Sequence, residues 1–542
     1  MARHFNIADM FELVADKVPE RTALVCGAQR ATYAQLDQRA NAMAHYLREQ
    51  GVEAGDHVGL YLYNCNEYLE GMLACFKLRA VPININYRYV EEELSYIFNN
   101  ADLVACIHHR EFAPHIAAVQ ASSPDLKTLI HVDDDSGADA AAIGSTAYED
   151  ALAGRSTARD FPERADDDLF ILYTGGTTGM PKGVMWPHKN VFHAAMGGGG
   201  YFHPDGVITE PEQIADRVGD FAIVGIALAP LMHGACWWYA CIQLLSGNLL
   251  VLNPAHHLVG EDVWDIVERE KVNSITIVGD AMAVPLLDAL EANPGRWDLS
   301  SVFAVGSGGA VFSASKQEAF RRHLPNIMIR NSFGSSESGA MGADSGGKAG
   351  QGLGNIVRDP FMSVVAEAED GTHFHVEPGA RGIFARSGHI PVGYYNDPVK
   401  TAKTFVPVDG KTWLLTGDEA QLEEDGTITV YGRGSNCINS GGEKIFPEEV
   451  EQALKNHPAV FDCLVVATPD ERLGSKVTAV VAARDGHALD LQTLQEEARK
   501  HIAGYKVPRE LHIVAEVPRA PSGKPAYPRA LEIALSGQYR AG

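Results

Sequence analysis

"YTGGTTGMPKGV", residues Tyr173–Val184, sets four glycines, three threonines and one lysine into twelve positions. Gly175, Gly176 and Gly179 let backbone N–H groups come close to an anion. Thr174, Thr177 and Thr178 add hydroxyl donors, and Lys182 adds a point charge. The mixture suits a loop that wraps phosphate. The commonest phosphate loop, G-x-x-x-x-G-K-[ST], puts its lysine directly after glycine at the start of a helix. Here Met180 and Pro181 stand between Gly179 and Lys182, and Gly183 follows. On residue type alone, a flexible Gly/Thr turn stays open beside phosphate binding.

On either side of this stretch, helical and strand patterns alternate. "YAQLDQRANAMAHYLREQG" (Tyr33–Gly51) has apolar residues at helical spacing and ends in glycine. "HVGLYLY" (His57–Tyr63) reads as a strand, "EYLEGMLACFKLRA" as a helix, and "LVACIHH" as another strand. "SITIVGD" from Ser274 and "VFAVGSGGA" from Val302 continue the alternation. Strands separated by helices predict an α/β fold of parallel-type sheets covered by helices. The acidic run His131–Gly154 reads as a surface loop.

Between Asp220 and Glu261 there is no Asp, Glu, Lys or Arg. A membrane span needs ~20 predominantly apolar residues in one helix, and Pro230, His233, Gly234 and Ser246–Gly247 break this stretch up. We expect a strand ending near Pro230, a helix through Trp237–Leu245 and a strand at Leu249–Leu252, with no membrane span.

The last hundred residues look separate. "GRGSNCINSGGEKIFPEEVE" opens a helix near Pro447, where proline suits the first turn and the glutamates suit the positive end of the helix dipole. "VFDCLVVATPD", "KVTAVVAAR" and "LHIVAEV" are strand candidates around one more helix. This predicts a large domain over 1–432 and a small α+β domain over 433–542. A chain of 542 residues is too long for one core in any case.

The net charge of −25 argues against nucleic acid as a partner. Eight cysteines at irregular spacing, with no Cys-x-x-Cys, suggest neither a disulfide framework nor a zinc site. The first residues contain acidic side chains and no unbroken apolar stretch, so they do not read as a signal peptide. A reducing cytoplasm is the expected location.

Three further stretches carry chemistry. "SFGSSESG" presents Glu337 among hydroxyls and glycines, "LLTGDEA" presents Asp418 after Thr-Gly, and "PRAPSGKPAYPR" presents Lys524 on a Ser-Gly turn. Singly, each has a bland reading as a solvated turn carboxylate or a surface lysine. Together, in this order, and with "GYYNDPVKT" (Gly393–Thr401), they closely resemble the adenylate-forming superfamily of acyl-CoA synthetases, peptide-synthetase adenylation domains and firefly luciferases. The resemblance covers nearly the whole chain. One departure in the first loop is Gly175, where the family usually has Ser.

The resemblance implies an AMP-forming ligase that joins a carboxylate to AMP, releases pyrophosphate and transfers the acyl group to a thiol. It implies ATP, Mg²⁺ and coenzyme A as ligands. Thr174, Gly175, Gly176, Thr177, Thr178, Gly179 and Lys182 would hold the β and γ phosphates. Ser336 would contact the α-phosphate, and Glu337 would help hold Mg²⁺, a hard ion that prefers oxygen. Ser307, Gly308, Gly309 and Ala310, with Phe333, would frame the adenine and the acyl end, and Gly334 and Ser335 would continue that wall. Asp418 would accept from the ribose hydroxyls, supported by Arg433. Lys524 would neutralise charge between carboxylate and α-phosphate, forming the catalytic set with Glu337 and Lys182.

In the family, the small domain rotates about a hinge that falls at Ser435, where many members have Asp or Lys. Gly434–Ser435 should still flex. Gly441 and Gly442 would line the pantetheine tunnel. His233 would gate the acyl side, with Gly306 nearby; a satisfied core histidine is the bland alternative for His233. The acid is expected to be hydrophobic, with fatty or steroid-like chains ahead of aryl acids. An acyl-AMP ligase that loads a carrier protein is the runner-up. The oligomeric state stays open, a homodimer included.

Overall fold

The computed structural model describes residues 3–89, 91–174, 180–200, 203–310, 312–343, 354–433, 436–440, 443–470, 473–502, 504–520 and 523–539. Its largest part is built on two eight-stranded sheets. The first runs Gly339–Ala343, Met328–Ser335, Ala304–Gly308, Ser274–Ile277, Val224–Ala227, Leu249–Leu252, Thr22–Cys26, Gln29–Thr32 in spatial order. Its inner pairings are parallel, and each edge strand is antiparallel to its neighbour. The second runs Gly393–Tyr394, Lys182–Pro187, Leu169–Thr174, Val81–Asn84, His57–Tyr61, Leu103–His109, Thr128–Val132, Thr146–Ala147. Its first two pairings are antiparallel and the rest parallel.

Strands buried on both faces read as near-continuous apolar runs, and all five residues of His57–Tyr61 are buried. Between the sheets, the helices Ile7–Lys17, Tyr33–Glu49, Asn66–Leu78 and Gly234–Leu245 share one core with strand residues such as Leu24, Leu60 and Ala227. The ring of Trp237 stacks on Phe170 at 3.9 Å and ties the charge-free segment to the second sheet. Local signals set the ends of these helices. Thr32 and Gln35 close a capping box at the start of Tyr33–Glu49, and Gly51 follows its end at φ 87°. Two further cores cover the outer faces of the two sheets.

The charge-free segment folds as a strand at Val224–Ala227, a helix at Gly234–Leu245 and a strand at Leu249–Leu252. Among the described residues no helix is long and apolar enough to cross a membrane. One expectation needs correction. The acidic run His131–Gly154 is not all loop, because Tyr148–Leu152 forms a helix that buries Tyr148 and Ala151. The large part also carries a third, seven-stranded sheet whose pairings are all antiparallel, built from Gly354 to Arg433.

The C-terminal residues build their own sheets. Val460–Asp470 pairs antiparallel with Gly474–Ala483, which pairs parallel with Glu510–Val514. The helices Pro447–Leu454 and Leu491–Ala498 share a core with this sheet in which every buried residue lies beyond position 437.

Candidate active site

Two paired strands flank the glycine-rich stretch. Leu169–Thr174 and Lys182–Pro187 pair antiparallel, with Thr174 opposite Lys182. Lys182 therefore opens a strand rather than a helix, which is why a Walker pattern does not fit. Gly175, Gly176, Thr177, Thr178 and Gly179 lie outside the described residues, as do Ser435, Gly441 and Gly442.

The base of this strand pair is fixed by a buried amide. The Asn84 side chain accepts from the Tyr173 N–H at 2.7 Å and donates to the carbonyls of Tyr173 and Met232, at 2.8 and 2.7 Å. One residue thus joins the start of the loop to the residue before His233. At the exit, Tyr96 donates its hydroxyl to the Pro181 carbonyl at 3.1 Å. Gly393–Tyr394 adds to the pair as an edge strand, with Gly393 opposite Met185. That pairing brings Asp397 to Lys182, with Nζ 2.6 Å from Oδ2. Lys182 holds the Asp397 carboxyl below its usual range.

Glu337 sits in the turn after Met328–Ser335 and accepts from the Tyr394 hydroxyl at 3.1 Å. Ser336 is held through its carbonyl, which accepts from the Trp186 indole at 2.9 Å. Ser335 and Ser338 exchange hydrogen bonds across the same turn. Only glycine fits at 334, because a Cβ there would lie 2.1 Å from the Gly339 carbonyl oxygen. Ser307 and Gly308 end the neighbouring strand, opposite Asn331 and Ser332. The Ser307 hydroxyl accepts from the Gly279 N–H at 3.0 Å. Gly306 leaves its space open toward Thr276, Gly309 takes a left-handed φ of 83°, and Ala310 is half-buried against the central core.

The third sheet joins here through Phe333, which stacks on Phe384 at 6.0 Å. Asp418 is buried, and its backbone faces that of Arg433 across the sheet. The Asp418 N–H donates to the Thr416 hydroxyl, which itself donates to the Phe384 carbonyl. A short chain of contacts therefore links Asp418 to Phe333. Arg386 clamps the turn from below, donating to the carbonyls of Ser338 and Ala340 at 2.6 Å each.

His233 precedes the first turn of Gly234–Leu245, and its Nε2 is buried without a hydrogen-bond partner. This does not fit a satisfied core histidine. Burial, with the positive charges of Lys524 and Arg88, pushes its pKa down to about 3. The ring is neutral at physiological pH, and Lys524 approaches from the small domain on its side of the site. Around Lys524 the chain is a closed turn. The Ala520 N–H donates to the Lys524 carbonyl and the Gly523 N–H to the Ala520 carbonyl, both at 2.8 Å.

The strands around Lys182, the Glu337 turn, the buried Asp418 and the Lys524 turn of the C-terminal unit are where the resemblance places nucleotide-binding residues. Sequence models agree: residues 11–395 match the AMP-binding enzyme family and residues 449–524 match the AMP-binding enzyme C-terminal domain. The chain belongs to the AMP-binding enzyme family. A relative from Rhodococcus rhodochrous, "3-oxocholest-4-en-26-oate--CoA ligase", is 48% identical over 528 residues, covering 96% of this chain and 94% of that one. A "Medium/long-chain-fatty-acid--CoA/3-oxocholest-4-en-26-oate--CoA ligase" from Mycobacterium tuberculosis (strain ATCC 25618 / H37Rv) is 45% identical over 534 residues, 98% and 96% of the two chains. Among solved structures, an anthranilate CoA ligase, AuaEII, in complex with anthranoyl-AMP superposes with TM-score 0.84 over 99% of both chains at 23% identity, a likeness of fold. The protein is an AMP-forming carboxylic acid–CoA ligase, and the carrier-protein alternative is not favoured.

Asp397 and Tyr394 both lie in the motif "GYYNDPVKT", but no local signal there marks either as a partner of Lys182 or Glu337. Asn84 has no local pattern that would mark it.

Proposed function

We propose that this ligase activates a steroid acid, with its carboxylate at the tip of the side chain and a ketone on the far ring, in preference to plain fatty acids. The observation that carries the reading is Gln243. It is fully buried, and neither atom of its amide has a hydrogen-bond partner. It lies on the helix Gly234–Leu245, ten residues beyond His233, or about 15 Å at helical rise. It occupies the room left by Gly225, where a Cβ would stand 2.5 Å from Nε2. An unpaired buried amide is costly, and a ring ketone at that depth would accept its N–H. The names of both relatives include a 3-oxo steroid acid, alone in the first and beside medium- and long-chain fatty acids in the second.

The roles follow from where negative charge accumulates. Thr174 and Lys182, with Gly175, Gly176, Thr177, Thr178 and Gly179, hold the β and γ phosphates, and Lys182 exchanges Asp397 for phosphate. Ser336 contacts the α-phosphate, and Gly334 and Ser335 shape that turn. Asp418, with Arg433, takes the ribose, and Ser307, Gly308, Gly309, Ala310 and Phe333 frame the adenine. Glu337 suits Mg²⁺, because Tyr394 bonds one carboxylate oxygen and the set is all oxygen. Among the described residues no cluster of three His, Cys, Asp or Glu could hold a metal by itself. An ion held by one carboxylate plus substrate phosphates is the usual manner of Mg²⁺. Such an ion would neutralise phosphate charge.

Lys524 supplies positive charge where the carboxylate meets the α-phosphate. His233, neutral and unpaired, gates the acyl side beside Gly306. The small domain, from Arg433 onward, then turns about Ser435 so that Gly441 and Gly442 line the path of the thiol. Eight free cysteines support a reducing, cytoplasmic setting.

The test compares kcat/KM for a 3-oxo steroid side-chain acid, the matching acid without the ketone, and medium and long fatty acids. We expect the 3-oxo acid to lead. Gln243→Leu should cut its lead over the ketone-free acid about tenfold, as expected when one hydrogen bond decides specificity. An unchanged ratio would contradict the assignment.

A further inference from the structure

Four charges of alternating sign run from the large domain to the turn that carries Lys524. The first is Asp280, in the opening turn of the helix Gly279–Ala292. It is 4% exposed. Its Oδ1 accepts from the Ser313 N–H at 2.9 Å and the Ser313 hydroxyl at 3.1 Å. Its Oδ2 has no hydrogen-bond partner and faces Lys455 Nζ, of the small domain, at 3.8 Å. Lys455 is as deeply buried, and its Nζ lies 3.2 Å from Asp462 Oδ1. Arg519 grips both oxygens of Asp462, at 2.6 and 2.7 Å. The remaining arm of Arg519 donates to the Gly523 carbonyl at 2.9 Å. Gly523 is the residue before Lys524.

Charge balance explains why the line crosses the domain boundary. Within the small domain, two cations, the buried Lys455 and the partly buried Arg519, share the single carboxylate of Asp462. The next acid, Glu451, is pushed up to about 7 by burial and supplies only part of a negative charge at neutral pH. Taking an ammonium out of water is unfavourable unless it is fully paired. Asp280 completes the pairing, and it can do so only when the small domain sits as it does here. Two weaker contacts mark the same seat. The Ser315 hydroxyl donates to the Lys455 carbonyl at 3.4 Å, and Arg484 meets Asp288 at 3.2 Å.

We propose that Asp280, Lys455, Asp462 and Arg519 are positioning residues of the adenylation step: docking of the small domain on Asp280 places the Lys524 turn over the nucleotide, and thioester formation does not use the contact. The proposal rests on the reading of Lys524 as the adenylation lysine. None of the four touches substrate in this account; they act through Lys524.

Asp280→Asn is the direct variant. It keeps the shape and the oxygen that serves Ser313, and it removes the charge that faces Lys455. Two half-reactions are measured on the full chain: single-turnover pyrophosphate release from ATP and acid, and thioester formation from supplied acyl-AMP and CoA. Lys524→Ala is run beside it. We expect Asp280→Asn to slow pyrophosphate release about 10- to 100-fold, the scale of an ångström-sized misplacement. Thioester formation should stay within about twofold of the parent, and the KM for ATP should be little changed. The double variant Asp280→Asn/Lys455→Met should fall no further than the worse single one, because both remove the same contact. Equal losses in the two half-reactions, or no loss in either, overturn the clamp. Should Lys524→Ala abolish pyrophosphate release while Asp280→Asn leaves it intact, the clamp fails and the lysine's role stands. Should Lys524→Ala leave pyrophosphate release intact, both fail.

Discussion

Lys182 is paired with Asp397, and under the proposed function that pair would compete with ATP for the lysine. Both side chains are partly exposed, at 38% and 28%, so the pair contributes at most about 1 kcal/mol. ATP must displace it. Asp397→Asn keeps the cap on the helix Pro398–Thr404, where Oδ1 accepts from the Lys400 N–H at 2.9 Å. We predict that this variant binds ATP about two- to fivefold more tightly with little change in melting temperature. Calorimetric titration with ATP checks it, and weaker binding would mean that Asp397 orients Lys182 rather than restrains it. The lysine's displacement from the Walker position was visible in the sequence, because it depends on neighbours. Its partner was not, because Asp397 lies 215 positions away and no local pattern couples the two. The same holds for Asp280 and Lys455.

At the scale of elements, one turn of the candidate site depends on glycine at one point. In the Ser332–Gly339 turn, Gly334 lies opposite Ala340 across the hairpin, and its space is filled by the Gly339 backbone. Backbone cannot give way as a side-chain end can. Gly334→Ala should therefore cost about 1–3 kcal/mol of stability, the usual range for overpacking, and should weaken ATP binding as the turn shifts. Denaturant unfolding and nucleotide titration read the two effects. The run Gly197–Gly200 answers to the same logic. Gly197, Gly198 and Gly199 all take left-handed φ, and Gly200 lies against the Gly206 backbone. Chain, not substrate, occupies that space. The alternating helices and strands were legible because parallel strands announce themselves as apolar runs. The antiparallel third sheet was missed although it left a signal. Asp425-Gly426, with Gly426 at φ 82°, joins the strands Lys411–Leu422 and Ile428–Arg433, and Asp-Gly between strand patterns marks a hairpin.

For the whole molecule, buried histidines govern the response to acid. Burial pushes His108, His109, His188 and His193 down to about 4 and His233 to about 3. The unfolded chain accepts these protons near pH ~6.5, so it binds more protons than the folded chain below that point. Stability falls as pH drops from about 6.5 to about 4. Glu70 and Glu451, raised to about 6 and about 7 by burial, act in the opposite sense. Five histidines against two carboxyls leave the net slope downward toward acid. Urea unfolding at pH 7 and pH 5 should show lower stability at pH 5; equal or greater stability there would contradict it. Under the proposed function, one acyl-AMP would be used by two arrangements of the small domain, with Lys524 present in only one. The most direct measurement is the pair of half-reactions on Lys524→Ala with a 3-oxo steroid acid. The account predicts loss of pyrophosphate release by at least about 100-fold, with supplied acyl-AMP still converted to the CoA thioester at the parental rate. Loss of both half-reactions together, or retention of pyrophosphate release, would contradict it.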